Sequence, residues 1–145
     1  MPTAFDVAAY VLKRTGQISH MKLQKLVYYS QAWSLVWDEK PLFREAIEAW
    51  VNGPVVNSLF SHLKGKFKVS SSDLSKVGNP AALTEPQHET IRRVVDFYGD
   101  KTPQWLSDLT HMEPPWQAAR VGVPPGDRSN KEITLASMAE YYGSL

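Results

Sequence analysis

A chain of 145 residues, 43% apolar and 21% charged, carries enough material for one domain with one core. Its formal net charge of +1 offers no global attraction to nucleic acid or anionic lipid, and the absence of cysteine excludes disulfides, thiolate zinc sites, iron–sulfur clusters and a thiol nucleophile. No apolar run approaches the roughly 20 residues of a membrane span, and Asp6 interrupts the N-terminal stretch where a secretory signal needs its apolar core, so a cytoplasmic protein is expected.

Thr3 is a good N-cap, and Ala4, Val7, Ala8, Val11 and Leu12 recur at helical spacing until Gly16. A second helix is expected from Ser19 or His20 to Trp37. Leu23, Leu26, Val27, Ser30, Trp33 and Trp37 form one stripe, while Tyr28, Tyr29, Ala32, Leu35 and Val36 make the remaining faces apolar as well. That is the pattern of a central, buried helix, with Lys22, Gln24, Lys25 and Gln31 read as its wet side. Asp38 to Pro41 breaks the periodicity. Phe43 to Val51 leaves strand and helix open and leans towards an extended segment ending at Trp50. Asn52-Gly53-Pro54 is turn chemistry, and Pro54 is read as the first residue of a helix carrying Val55, Val56, Leu59, Phe60 and Leu63.

Lys66 to Pro80 reads as the longest loop, with Val69 and Val77 as short extended pieces. Thr84, Pro86 and Gln87 approximate a capping box for a helix that buries Ile91, Val94, Val95 and Tyr98 and stops at Gly99. Thr102-Pro103 opens another, with a stripe of Trp105, Leu106, Leu109 and Met112. Pro114-Pro115 forces an extended step, Trp116 to Arg120 makes a short helical turn, Gly122 to Asn130 is a loop, and Thr134 caps a last helix through Tyr142 that presents Leu135, Met138, Ala139 and Tyr142 on one face. The expected fold is mainly α: a compact orthogonal bundle of about six helices in a single domain, 1–145, with room for a minor strand pair drawn from residues 43–51 and 66–77.

Chemistry is sparse. The histidines, His20, His62, His88 and His111, include no pair four apart with a glutamate between, and His111 with Glu113 offers two metal ligands that nothing nearby completes. There is no glycine-flanked nucleophile and no glycine-rich phosphate loop. No catalytic residue, metal or cofactor is therefore assigned, and the residual enzyme reading is a hydrolase or nuclease built on His111 and Glu113. Lys64, Lys66 and Lys68 around Phe67, and Arg92-Arg93, read as solvated faces on a charge-balanced chain, so direct DNA binding is not expected.

Three segments change the reading. They are Lys22-Leu23-Gln24-Lys25-Leu26-Val27-Tyr28-Tyr29, Ala49-Trp50-Val51-Asn52-Gly53-Pro54-Val55, and Leu106-Ser107-Asp108-Leu109-Thr110-His111-Met112-Glu113-Pro114-Pro115-Trp116 followed by Ala119 and Arg120. In this order and spacing the chain resembles the Panacea antitoxin domain, also described as the SocA-type antitoxin or GepA phage-associated family. The resemblance implies the antitoxin of a bacterial or phage toxin–antitoxin pair, neutralising a toxin encoded by a neighbouring gene through direct protein contact. It also implies, as the alternative, an adaptor that delivers the toxin to a ClpXP-type AAA+ protease. Some relatives carry an added DNA-binding domain, for which this chain leaves no length.

The residues of these motifs suggest a partner-binding set: Lys22, Gln24, Lys25, Tyr28, Tyr29, His111, Glu113, Trp116 and Arg120. Tyrosine, tryptophan and arginine are the side chains that most often dominate interface energy. Each has a structural reading beside it, and Trp116 is equally suited to sit in the core beside Trp105. Trp50, Gly53 and Pro54 are read as structural, the first as core and the others as a turn that aims the following segment.

Overall fold

A computed structural model describes all residues, 1–145. The chain order is α1 (Ala4–Thr15), β1 (Ile18–Ser19), α2 (His20–Trp37), β2 (Ile47–Trp50), β3 (Gly53–Val56), α3 (Asn57–Leu63), β4 (Lys68–Val69), α4 (Glu85–Tyr98), α5 (Pro103–His111), α6 (Pro114–Ala119), β5 (Glu132–Ile133) and α7 (Leu135–Gly143). Two single 3-10 turns, Ser71–Leu74 and Pro80–Ala82, lie between β4 and α4. The mainly helical bundle expected from periodicity is what forms, with seven helices. No helix is long and apolar enough to cross a membrane.

α2 is the axle. It packs against α1, α4, α5, α7 and β3, and Leu23, Leu26, Val27, Tyr28, Tyr29 and Ala32 are all buried. Encirclement on every side is why its apolar residues show no single face. Trp37, at its exposed end, lies beside Arg93 and stacks on Trp33.

The helix ends are closed by local hydrogen bonds. Thr3, Ser19, Thr84, Thr102 and Thr134 each accept a backbone N–H from the first turn of the helix they precede. Asp6 goes further. Its carboxylate accepts from Thr3 N (2.9 Å) and from Asn79 N (2.8 Å), so one side chain closes α1 and anchors the segment before α4. Asp6→Ala is expected to lower stability by about 2 kcal/mol, from two backbone donors left without an acceptor. Urea denaturation measures this, and Asp6→Asn, which keeps an acceptor, should lose less.

The strands differ from expectation. β2 pairs antiparallel with β3 in a tight hairpin, Trp50 opposite Gly53, and β5 adds to the other side of β2 at Ile47 and Glu48. β4 pairs with β1, Ile18 opposite Val69, in a separate two-residue ribbon. So residues 43–51 and 66–77 do not pair with one another, and Val77 joins no strand. Pro54 does not open a helix but sits inside β3, and α3 starts three residues later. The reason is Gly53: its φ of 119° is a conformation that side chains disfavour, and it reverses the chain back along β2. Trp105 and Met112, expected in the α5 stripe, are 43% and 67% exposed; Leu106, Ser107 and Thr110 take the buried positions. Leu135 is also exposed. The extended step falls on Glu113, which Pro114 keeps out of the helical region, and the two prolines are themselves the first residues of α6, where a missing N–H costs nothing.

Candidate functional site

Three sequence motifs meet at one place, the β2–β3 hairpin. Its backbone carbonyls are taken one by one by side chains from α5, α6 and Arg120, the residue that follows α6. Ser107 Oγ donates to Asn52 O (2.7 Å), His111 Nε2 to Val51 O (2.9 Å), Trp116 Nε1 to Trp50 O (2.8 Å) and Arg120 Nη1 to Ala49 O (2.8 Å). Four successive carbonyls are thus held by four side chains spread over residues 107–120. For His111 to donate here, Nε2 must carry the proton. Arg120 also donates to Asp127 O and lies over the Trp116 ring, which in turn packs on the His111 ring at 4.2 Å. Trp116 therefore belongs to a His111–Trp116–Arg120 stack and has no partnership with Trp105, which lies beside Lys101.

The opposite side of the hairpin is held from α2. Gln24 Oε1 accepts from Val56 N (3.0 Å) and its Nε2 faces Val56 O (3.5 Å), so an amide side chain takes the place of a neighbouring strand. The same Nε2 lies 3.1 Å from His20 Nε2, which must then be the acceptor. Burial, with Lys25 nearby, lowers the His20 pKa, consistent with a neutral ring. Lys25 Nζ donates to Pro54 O (3.3 Å). Farther along α2, Gln31 holds the 38–46 segment, accepting from Leu42 N (2.6 Å) and donating to Phe43 O (2.9 Å).

These contacts overturn the reading of Gln24, Lys25 and Gln31 as a wet side. All three are buried, because the irregular backbone beside α2 has donors and acceptors that no neighbouring strand meets. Of the run Lys22 to Tyr29, only Lys22 retains solvent contact.

Tyr28, Tyr29 and Glu113 form a second polar centre inside the core. Tyr29 OH (2.7 Å) and Tyr142 OH (2.8 Å) both donate to Glu113 Oε1, and Tyr28 OH lies 3.0 Å from Tyr142 OH. Since the single Tyr142 proton is committed to Glu113, Tyr28 must donate to Tyr142. The result is a directed chain, Tyr28 to Tyr142 to Glu113, with Tyr29 arriving from the other side. Tyr98 stacks on Tyr29 at 4.1 Å and accepts from Trp33 Nε1 (3.0 Å). Burial pushes every one of these hydroxyls up, Tyr98 to about 12, and raises Glu113 despite the two tyrosines that favour its charged form. Glu113 and His111 serve different networks and share no hydrogen bond. As placed, Gln24, Tyr28, Tyr29 and Glu113 lie inside the molecule, while Lys22, His111 and Trp116 are half-buried and Arg120 is nearly covered.

What opens to solvent is a cleft of about 890 Å³ beside the hairpin turn, between the first turn of α2, α3 and residues 128–130. Trp50 and Phe60 form its aromatic wall, in edge contact at 4.8 Å, with His20 stacked on Phe60 at 5.3 Å. Lys25, Lys64 and Arg128 line it, and Glu48 is held to the Trp50 indole (2.8 Å). Trp50, expected in the core, is half-buried in this wall. His20, Phe60, Lys64 and Arg128 were not foreseen as site residues. Phe60 and Lys64 are four apart along α3 and its C-cap, but no spacing in the sequence links that pair to His20 or Arg128.

Lys25 is the costly member. It is 1% exposed, has one acceptor and no carboxylate partner, and burial lowers its pKa from 10.5 to about 8. A lysine whose folded pKa lies below its unfolded value loses protons on folding, so stability should rise with pH between about 8 and 10.5. Lys25→Met is expected to abolish that rise and to add about 1–2 kcal/mol at neutral pH, the relief of desolvation less the lost bond to Pro54 O. Thermal melts of both proteins across this range measure it; an unchanged slope would remove Lys25 as its source.

Fold and site together define a mainly helical domain organised around a side-chain-pinned hairpin. A model of the family described as antitoxin SocA-like, Panacea domain, matches residues 23–117, and the chain belongs to that family, whose role in general is that of an antitoxin. The match contains the first motif from Leu23 onward, the whole of the second, and the third through Trp116; α1, Lys22, Ala119, Arg120, β5 and α7 lie outside it. No curated protein and no solved structure matches the chain.

Proposed function

We propose that this chain neutralises a cognate toxin protein, encoded by a neighbouring gene, by binding it directly in the cytoplasm and without chemistry of its own. The observation that carries this reading is the pinned hairpin. Side chains from α2, α5, α6 and Arg120 hold the turn at residues 49–56 from both sides, and the open cleft lies against it. A surface fixed before the partner arrives avoids most of the ordering cost of association. The residues with the best credentials for catalysis are otherwise engaged, His111 on a backbone carbonyl and Glu113 between two tyrosines.

In this reading most motif residues act through the hairpin they hold, and the partner meets Trp50, Lys22 and the cleft rim. Co-expression with the adjacent gene tests it: growth should be restored and the two products should co-purify. Failure of both would end the proposal. Rescue that persists in a strain without the AAA+ protease supports neutralisation by binding alone, whereas rescue lost there would make the chain an adaptor for degradation.

A further inference from the structure

We propose that the cleft receives an acidic segment of the partner protein, whose carboxylates are drawn by the cationic wall that Lys25, Lys64 and Arg128 form. The proposal rests on the protein-binding reading above and adds the chemistry of what is bound. An ammonium group has three donors, and Lys25 uses one, on Pro54 O. A buried cation with so little compensation is unfavourable, and a methionine of similar length would serve packing better. The cost makes sense where an anion is to be met, because the cleft wall that contains Lys25 is also lined by Lys64 and Arg128. Neither of these is in an ion pair, both are exposed, and the only acidic side chain in the lining is Glu48. Three cations against one anion, around an open cavity of about 890 Å³, give a local field that the near-neutral chain as a whole does not have.

The remaining lining favours peptide over nucleotide. Asn57 and Asn130 offer side-chain amides, each able to donate to and accept from a peptide backbone. The aromatic groups do not offer a slot for a base. Trp50 and Phe60 meet edge to face, and a face of Phe60 is covered by His20. What they present is an apolar wall suited to a side chain next to the acid.

Selection from a phage-displayed library of random dodecapeptides on the immobilised full chain tests the inference. Recovered peptides should be enriched about threefold or more in Asp and Glu over the input library. Their affinity should fall about tenfold or more for Lys25→Met, whose folding is checked by its melt, and for the rim variant Lys64→Glu/Arg128→Glu, which alters only exposed side chains. Recovery of no peptides, peptides without acidic enrichment, or peptides that bind both variants as well as the parent would overturn the proposal. So would displacement by inorganic phosphate or adenosine monophosphate at concentrations matching the peptide, which would make the cleft a phosphate site. Failure here is distinct from failure of the antitoxin reading: if the rim variant restores growth in co-expression as well as the parent does, toxin binding stands and the acidic-segment inference falls.

Discussion

Replacing Gly53 with alanine is expected to destabilise the protein by about 2–4 kcal/mol. Two causes add. The backbone at Gly53 has φ of 119°, a region where a Cβ is strained whatever surrounds it, at about 1–3 kcal/mol. The space is also occupied, since an added Cβ would lie 2.7 Å from Lys25 Cε and 2.9 Å from Thr110 Oγ1. Thr110 cannot swing away freely, because its hydroxyl donates to Ser107 O at 2.7 Å. Lys25 has flexible torsions but is enclosed, and moving it breaks the bond to Pro54 O. Urea denaturation gives the total. Repeating the substitution on a Lys25→Ala background, where Cε is absent, separates the causes. A coupling of about 1 kcal/mol or more is expected for the contact, and the remainder belongs to the backbone. A loss below about 1 kcal/mol in the parent would show that the hairpin tolerates another turn and is not fixed by Gly53.

The second large effect is at Glu113. Glu113→Ala removes the acceptor of both Tyr29 and Tyr142 and leaves two hydroxyls in the core without a partner. About 3 kcal/mol or more should be lost, from unmet donors together with the cavity. Glu113→Gln keeps an amide oxygen for the same two donors and should lose markedly less. The two variants also differ from the parent in pH response. Burial raises the Glu113 pKa above its ordinary value of 4.5, so the folded state holds the proton more tightly than the unfolded chain. The stability this contributes is fully present below pH 4.5 and is lost as pH rises through the folded-state pKa. Denaturation midpoints measured over this window should lose that component in Glu113→Gln. An identical pH profile would assign the titration elsewhere.

Element type was legible in the sequence wherever periodicity and capping agreed. Thr3, Thr84, Thr102 and Thr134 mark helix starts by their own chemistry, and the structure uses each as the cap. The all-round apolar pattern of α2 stated its central position correctly. The same helix misled over Gln24, Lys25 and Gln31. A polar residue on an enclosed helix has two explanations, a wet stripe or an internal backbone partner, and choosing between them needs the hairpin that the sequence does not place. A usable signal was present: Gln24 and Gln31 are seven apart, on one face, on a helix with few other polar residues beyond its first turn. Pro54 failed as a helix start because Asn-Gly before it also suits a hairpin, and Gly53 decided the direction of the chain. The cleft was not legible at all. Its lining comes from three separated stretches, 20–25, 48–64 and 128–130, and its character arises from their juxtaposition.

The way the small sheet is finished restricts how this protein can be recognised. Exposed strands commonly invite a partner's extended segment to join the sheet, with main-chain groups supplying the affinity. Here that route is closed by side chains. Along β3, Gln24 and Lys25 occupy groups that an added strand would need, and beyond the end of β5, Arg120, Trp116 and His111 occupy the carbonyls of β2 and the turn. β5 itself spans only two residues. A partner that cannot pair backbones must be read through its side chains. Under the proposed function, selectivity among toxins would then fall to the side chains around the cleft, while the residues that seal the sheet are held in place by the fold.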